Sequence, residues 1–323
     1  MKEFQPRWPW SHRHFQSILP SILPRHRLNL RARQLLAVTE ELILDCGDGV
    51  RLQAFRAQPT SPNGMSAILL HGWEGSANAY YVLSLATFLH AAGVEVVRLN
   101  LRDHGATHHL NEGIFHSCRL AEVCGAVAAL GPKLRAAPWL VGFSLGGNFW
   151  LRVAASGDPR LPQLAGVVAV SPVLHPDSAM NAMEEGWQVY QNYFLRKWSA
   201  SLRIKQALWP DLPIGEEIFH AATLREMTRL LVAHHTSFPN IEAYLNGYAI
   251  TGGRLETLAV PATILSALDD PIIPAADLVR LARSRHLRLL TLPHGGHMGF
   301  MESPWAGSWI NQFVAGELGL APR

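Results

Sequence analysis

A mostly parallel α/β sheet flanked by helices, with a helical, aromatic-rich insertion, is the architecture this sequence predicts. Three observations carry that expectation. Strand and helix signals alternate over most of the chain, which favours βαβ units. The strand signals are short apolar runs, as expected of strands covered on both faces. The rhythm then breaks between about Pro172 and Thr257, where helical periodicity and aromatics take over. Taken in order, residues 1–40 read as an ordered arm packed on the core, with Trp8, Trp10, Phe15 and four prolines. Residues 41–59, split by the turn signal Asp45-Cys46-Gly47-Asp48-Gly49, read as an antiparallel hairpin. Ala67–Leu70 is a buried strand, followed by a helix over about 77–92 that Gly93 ends. Residues 94–100 form the next strand and about 117–130 the next helix. Trp139–Val141 is a further strand, with helical pattern resuming over 149–155. Residues 165–171, 262–267 and 287–292 supply three more strands. The core therefore spans 41–171 and 258–323, and residues 172–257 form a cap-like insertion between two strands. Its aromatics at helical spacing serve packing, and they also suit the lining of an apolar cleft.

Composition narrows the function. Lys and Arg number 28 against 25 Asp and Glu, a net charge of +3, and hydrophobic residues make up 48%. Charged residues are only 16%, below the roughly 25% of an average soluble domain, so intrinsic disorder is excluded. The basic residues form no strong stripe, which argues against nucleic acid as a partner. No apolar run approaches the roughly 18 residues of a membrane helix. The first residues, Met1-Lys2-Glu3-Phe4-Gln5-Pro6, lack the apolar stretch of a signal peptide. Three cysteines, Cys46, Cys118 and Cys124, show no paired or CxxC spacing, so neither a disulfide framework nor a zinc site is expected. A cytoplasmic location follows as the expectation. The aromatic, basic arm leaves peripheral membrane contact open.

The chemistry is concentrated in Gly142-Phe143-Ser144-Leu145-Gly146, a G-x-S-x-G sequence between an apolar strand and a helical pattern. At such a junction the serine sits on a sharp, strained turn that lifts its Oγ above the sheet. Small residues at 142 and 146 let that turn close, and the helix behind it offers N–H donors and a favourable dipole to a developing oxyanion. As a bare pentapeptide the match could be an ordinary glycine-rich turn. Its position makes the nucleophile reading the stronger.

A serine needs a base, and the base needs an acid to orient it. The chain supplies both in the order Ser, Asp, His. Asp269-Asp270-Pro271 follows a strand, and His294-Gly295-Gly296-His297-Met298-Gly299-Phe300 follows the last one. Asp270 is the expected acid, with Asp269 as a neighbouring turn residue. His297, on a flexible loop behind two glycines, is the expected base, with His294 as the runner-up. Intervals of 126 and 27 residues separate Ser144, Asp270 and His297, the first lengthened by the insertion. The backbone N–H groups of Leu145 and Trp73 are the expected oxyanion donors, and the side chain of His71 is expected to be structural. Among the other histidines, His104, His108, His109 and the pair His234-His235 show no HExxH spacing, so no metal or other cofactor is expected. Cys118 and Cys124 are read as packing residues in the 117–130 helix.

Four stretches together resemble the YheT-like esterase family of α/β-hydrolases, whose eukaryotic relatives include membrane-associated phospholipases and yeast medium-chain ester synthases. They are His14-Phe15-Gln16-Ser17-Ile18-Leu19-Pro20, His71-Gly72-Trp73-Glu74-Gly75-Ser76, Gly142–Asn148, and the acid and histidine loops just quoted. The resemblance implies an α/β-hydrolase fold, a triad of Ser144, Asp270 and His297, and a carboxylic ester as substrate. Trp73 stands where that family usually has leucine, and Asp103 where it has glycine. Cys118 and Glu122 stand where glycine and aspartate are common. The predicted activity is hydrolysis of short- to medium-chain or lipid-like small-molecule esters through an acyl-enzyme. Acyl transfer to an alcohol, and a non-catalytic ligand-binding homologue, are the alternatives.

Overall fold

Eight strands form one sheet in the order β1-β2-β4-β3-β5-β6-β7-β8 in the computed structural model, which describes residues 3–22, 25–302 and 308–321. The strands are β1 Thr39–Asp45, β2 Arg51–Ala57, β3 Ser66–Leu70, β4 Glu95–Leu99, β5 Pro138–Phe143, β6 Gly166–Val170, β7 Ala262–Ala267 and β8 Leu287–Leu292. The hairpin β1–β2 is antiparallel and joins β4 antiparallel, and every later pairing is parallel. Strands β3, β4, β6 and β7 are buried along their whole length, whereas the edge strand β8 alternates between half-buried and exposed positions. Burial on both faces explains the largely apolar runs, because a strand covered on two sides has no position for a solvated side chain. The charged exceptions, Glu95 and Arg98 of β4, are buried with polar partners, Glu95 with Arg56 and Ser66 and Arg98 with Asn78.

The helices are α1 Arg13–Ile22, α2 Arg25–Ala37, α3 Tyr80–Ala91, α4 Leu120–Leu130, α5 Leu145–Ala155, α6 Pro176–Glu185, α7 Val189–Leu208, α8 Leu224–His235, α9 Ile241–Gly247 and α10 Trp309–Glu317. Alternate residues of β3 feed two apolar layers. Ile68 and Leu70 pack with α4 and α5, and Ala67 and Leu69 with α3 and α10. Helices α6 to α9 all lie between β6 and β7, where the strand rhythm breaks.

Several element starts differ from the sequence reading, each for a local reason. Helix α3 begins at Tyr80, because the Ala77 N–H is drawn to Asn100 Oδ1 at 2.7 Å and Ala79 closes a turn on Ser76. Helix α4 begins at Leu120, because the Ser117 N–H donates to the Tyr244 hydroxyl at 3.0 Å. Cys118 therefore lies outside the helix in which it was expected, with its thiol directed at the Tyr244 carbonyl oxygen. Residues 1–40 contain two helices, α1 and α2, where no regular element was assigned.

The departure at Asp103 has a structural answer. Its φ is 60°, a left-handed value that glycine adopts freely and that Asp tolerates better than most residues. Its carboxylate accepts the Phe115 N–H at 2.8 Å and pairs at 2.8 Å with Lys205 of α7, whose side chain is fully buried. Lys205 also donates to the carbonyls of His108 and Asn111. One ammonium thus ties α7 to the loop after β4. Lys205→Met leaves the Asp103 charge buried and uncompensated, and is expected to lower stability by about 3–5 kcal/mol. Adding Asp103→Gly removes the stranded charge and relaxes the backbone, so the double variant should recover most of that loss in urea unfolding.

Candidate active site

Ser144 lies between the end of β5 and the first residue of α5, with φ 51° and ψ −119°. A non-glycine residue is held in that region only when its surroundings leave no alternative. Here they leave none. A Cβ on Gly142 would sit 2.5 Å from the carbonyl carbon of Gly146, and one on Gly146 would collide with the carbonyl oxygens of Leu70 and His71. The Ser144 N–H is anchored to Val170 O at 2.9 Å, and Asn148 closes the first helical turn on Ser144 O at 3.1 Å. The two glycines admit the backbone crossing, and the strain falls on the serine.

Three expected residues meet in one hydrogen-bonded chain. His297 Nε2 lies 3.0 Å from Ser144 Oγ, and His297 Nδ1 lies 3.0 Å from Asp270 Oδ2. The other oxygen of Asp270 accepts the N–H groups of Ile272 and Ile273 at 2.8 and 3.0 Å. Asp270, the expected acid, thus also makes the local turn, which orients the carboxylate while its other oxygen meets the imidazole. Asp269 reaches further. It accepts the Gly296 N–H at 2.9 Å and faces His294 Nδ1 at 3.4 Å, so it holds the histidine loop. His294 points toward Asp269, and His297 toward the serine.

The two residues expected to supply oxyanion donors border the same space as Ser144. Leu145 is the first residue of α5, where an N–H has no acceptor within its own helix. Gly72 packs so tightly beneath the serine that a Cβ there would lie 3.2 Å from Ser144 Cβ. Trp73 and Leu145 line the same cavity as Ser144 and His297. The loop is pinned by the Gly72 N–H to the Tyr81 hydroxyl at 3.0 Å. The Trp73 ring stacks on Phe194 of α7, centroids 4.9 Å apart and planes 9° apart. Trp198 meets it edge-on at 5.2 Å.

His71 is fully buried, as expected of a structural side chain. Its Nε2 accepts the Leu101 N–H at 3.2 Å, so the proton resides on Nδ1 and goes to Gly72 O at 2.7 Å. His104 repeats the arrangement, accepting the Glu74 N–H at 3.1 Å and donating to Arg102 O at 2.7 Å. Both rings stay neutral because burial disfavours their charged forms, lowering His71 to about 4 and His104 to about 3. Glu74 moves the other way, pushed up to about 7 by burial beside the cleft.

Two spaces meet at His297. An apolar cavity reaches inward from Ser144 and opens on one side to solvent. Its walls include Met180 and Met183 of α6, Phe194 and Trp198 of α7 and Leu231 of α8. A wider groove runs past the other side, bordered by Glu74, Tyr80, Tyr193 and Lys197. Trp73, Phe194, Ile272 and His297 border both spaces.

Residues 67–307 match the alpha/beta hydrolase family. The chain belongs to that family. YheT of Escherichia coli, whose name proposes an esterase, is 28% identical over 93% of this chain and 87% of its own. The pimeloyl-[acyl-carrier protein] methyl ester esterase of Xanthomonas campestris is 30% identical over 78% of this chain and 96% of its own. In fold the chain is similar to the Pyrococcus furiosus esterase Pf2001, with a TM-score of 0.56 at 14% identity, over 88% of this chain and 94% of that one.

Residues that sequence reasoning missed are those that support the site from outside the motifs. Tyr81 holds the loop before Trp73, and Asn148 donates to the carbonyls of Val173 and Tyr248 at 2.8 and 2.7 Å. Gln16 and Ser17 touch the histidine loop. The block containing Gln16 and Ser17 was visible as a resemblance, with no role attached.

The buried neutral histidines set a pH dependence. Their folded values lie below the 6.5 usual for histidine, so the unfolded chain binds more protons from about pH 6.5 down to pH 4. Stability is therefore lost as pH falls through that window. The thermal midpoint should drop between pH 7 and pH 4, and His104→Gln should flatten the decline.

Proposed function

We propose that this chain is a serine esterase. Ser144 Oγ attacks the ester carbonyl carbon while His297 Nε2 takes the hydroxyl proton, and Asp270 holds Nδ1–H and stabilises the imidazolium that forms. The carbonyl oxygen becomes an oxyanion facing the N–H groups of Leu145 and Trp73, at the N-terminus of α5. Collapse of that intermediate breaks the ester C–O bond, and His297 returns its proton to the departing alkoxide. Water then repeats the cycle on the acyl-Ser144 ester, releasing a carboxylic acid and restoring the serine.

The observation that carries this reading is the unbroken contact from Asp270 through His297 to Ser144, on a serine with left-handed φ. The esterase names of the two curated relatives support the substrate class. The apolar cavity suits the acyl chain, and helices α6 to α9 would serve as a cap over it. The wider groove suits the alcohol portion and admits water to His297, which favours hydrolysis over acyl transfer. Methionines and aromatic rings on the cavity wall fit a short- to medium-chain acyl group.

A fluorophosphonate probe is expected to label Ser144 and nothing else, with labelling lost in Ser144→Ala. On p-nitrophenyl butyrate, Ser144→Ala and His297→Ala should each reduce kcat by about 10⁴-fold or more. Labelling that persists in Ser144→Ala would refute the assignment. Across p-nitrophenyl esters, kcat/KM should rise from acetate to medium chains and fall at palmitate; a rate that keeps climbing to palmitate would reject the acyl-length assignment.

A further inference from the structure

The structure assigns helix α1 a positioning role in the active site: Ser17 and Gln16 hold the loop that carries His297 in place against Ser144. This inference rests on the esterase reading and adds to it residues that act through the loop carrying the base. The loop after β8 has a backbone that would not keep this shape unaided. Gly296, Met298 and Phe300 have φ values of 52°, 65° and 44°, and Gly295 lies at 152°. Two non-glycine residues in the left-handed region store strain, and glycines widen the conformations available once contacts are lost. A base on such a segment stays within reach of its nucleophile only if something outside the segment holds it.

Helix α1 supplies that hold on the backbone of the loop. Ser17 Oγ accepts the N–H of His297 itself at 2.8 Å, while its own proton goes to Arg13 O at 2.8 Å. Gln16 is buried, with 1% of its surface exposed, and grips Met301 from both sides. Its Oε1 accepts the Met301 N–H at 2.8 Å, and its Nε2 donates to Met301 O at 2.7 Å and to Trp10 O. The glycines of the loop mark how closely the helix approaches. A Cβ on Gly296 would lie 2.7 Å from both Gln16 Cβ and Ser17 Oγ, and one on Gly299 would collide with Gln16 O. Upstream, Phe4 packs edge-on against the fully buried Phe300, ring centroids 5.7 Å apart.

The same helix reaches the insertion. His14 Nδ1 lies 2.7 Å from the Tyr190 hydroxyl of α7, and the His14 ring meets Trp187 edge-on at 4.8 Å. Helix α1 therefore spans the histidine loop and the start of α7, both of which border the cleft. A segment at the N-terminal side of the chain, outside the matched family region, completes the geometry of a base near its C-terminal side.

The test compares Ser17→Ala, Gln16→Ala, Ser17→Thr and Phe15→Ala with the unmodified protein on p-nitrophenyl butyrate, together with thermal midpoints. Misplacing a base by about 1 Å can cost about 100-fold in rate, so Ser17→Ala and Gln16→Ala should lower kcat by roughly 10- to 100-fold with KM little changed. Fluorophosphonate labelling of Ser144 should slow in parallel. Ser17→Thr keeps the hydroxyl and should restore most of kcat, a rescue that loss of packing alone would not give. Phe15, on the exposed face of the same helix, should tolerate alanine without change. Should Gln16→Ala unfold below the assay temperature, the Ser17 pair decides. Folded Ser17→Ala turning over at the unmodified rate, or Ser17→Thr failing to recover, overturns the inference. Ser144→Ala is run beside them. If it stays active the esterase reading itself is wrong, whereas an inactive Ser144→Ala with unimpaired arm variants removes only the role of α1.

Discussion

The crossing of two backbones at Gly142 and Gly146 is the constraint on which the rest of the site depends. It brings the start of α5 against the ends of β3 and β5, and it forces Ser144 into a φ of 51°. In that conformation the hydroxyl is carried away from its own strand and toward the end of the sheet where the loops converge. A side chain at either glycine would have to displace backbone, which is far less compliant than the tip of a flexible side chain. The strain is sustained by what surrounds it: the hydrogen bond to Val170 on the neighbouring strand and the closed first turn of α5. A serine so placed presents its hydroxyl to the imidazole of His297 at 3.0 Å.

Alignment is a problem of long-range geometry. The imidazole comes from beyond β8, its carboxylate from beyond β7, and the loop beneath the serine from beyond β3. Each is fixed by backbone hydrogen bonding as well as by packing. Asp270 fills its spare oxygen with two N–H groups, Asp269 takes the N–H of Gly296, and Tyr81 takes that of Gly72. The loop around His297, which its glycines suggested to be flexible, is instead held at three points along its backbone by Asp269, Ser17 and Gln16. Glycine there serves close approach at least as much as freedom.

How much of this could be read in advance follows from where each signal is stored. Strands covered on both faces announce themselves as apolar runs, so the parallel core was legible. The G-x-S-x-G turn and the order Ser, Asp, His are local and sequential, and the three side chains do meet. Gln16 and Ser17 were not legible as site residues, because nothing in a polar pair on a short helix says which distant loop it will grip. Helix starts at Tyr80 and Leu120 were missed for a related reason. The groups that divert the preceding N–H donors, Asn100 and Tyr244, lie far off in sequence. Periodicity records which face is buried, but not which polar partner competes for the first turn.

Asp103 and Trp73 show how departures from a family pattern can be absorbed in pairs. Asp103 carries a charge into the interior where a glycine would carry none, and such a burial is tolerated only with a partner and with its remaining lone pairs filled. Lys205 and the Phe115 N–H meet both conditions, and in doing so they fasten α7 to the loop after β4. Trp73 replaces a smaller side chain, and its added surface is met by Phe194 and Trp198 of the same helix. Both departures therefore land on α7, which also contributes to the walls of the cavity and the groove. Each pair thus joins the insertion to a loop of the sheet: Asp103 and Lys205 behind the groove, and Trp73 with Phe194 where the cavity and the groove meet.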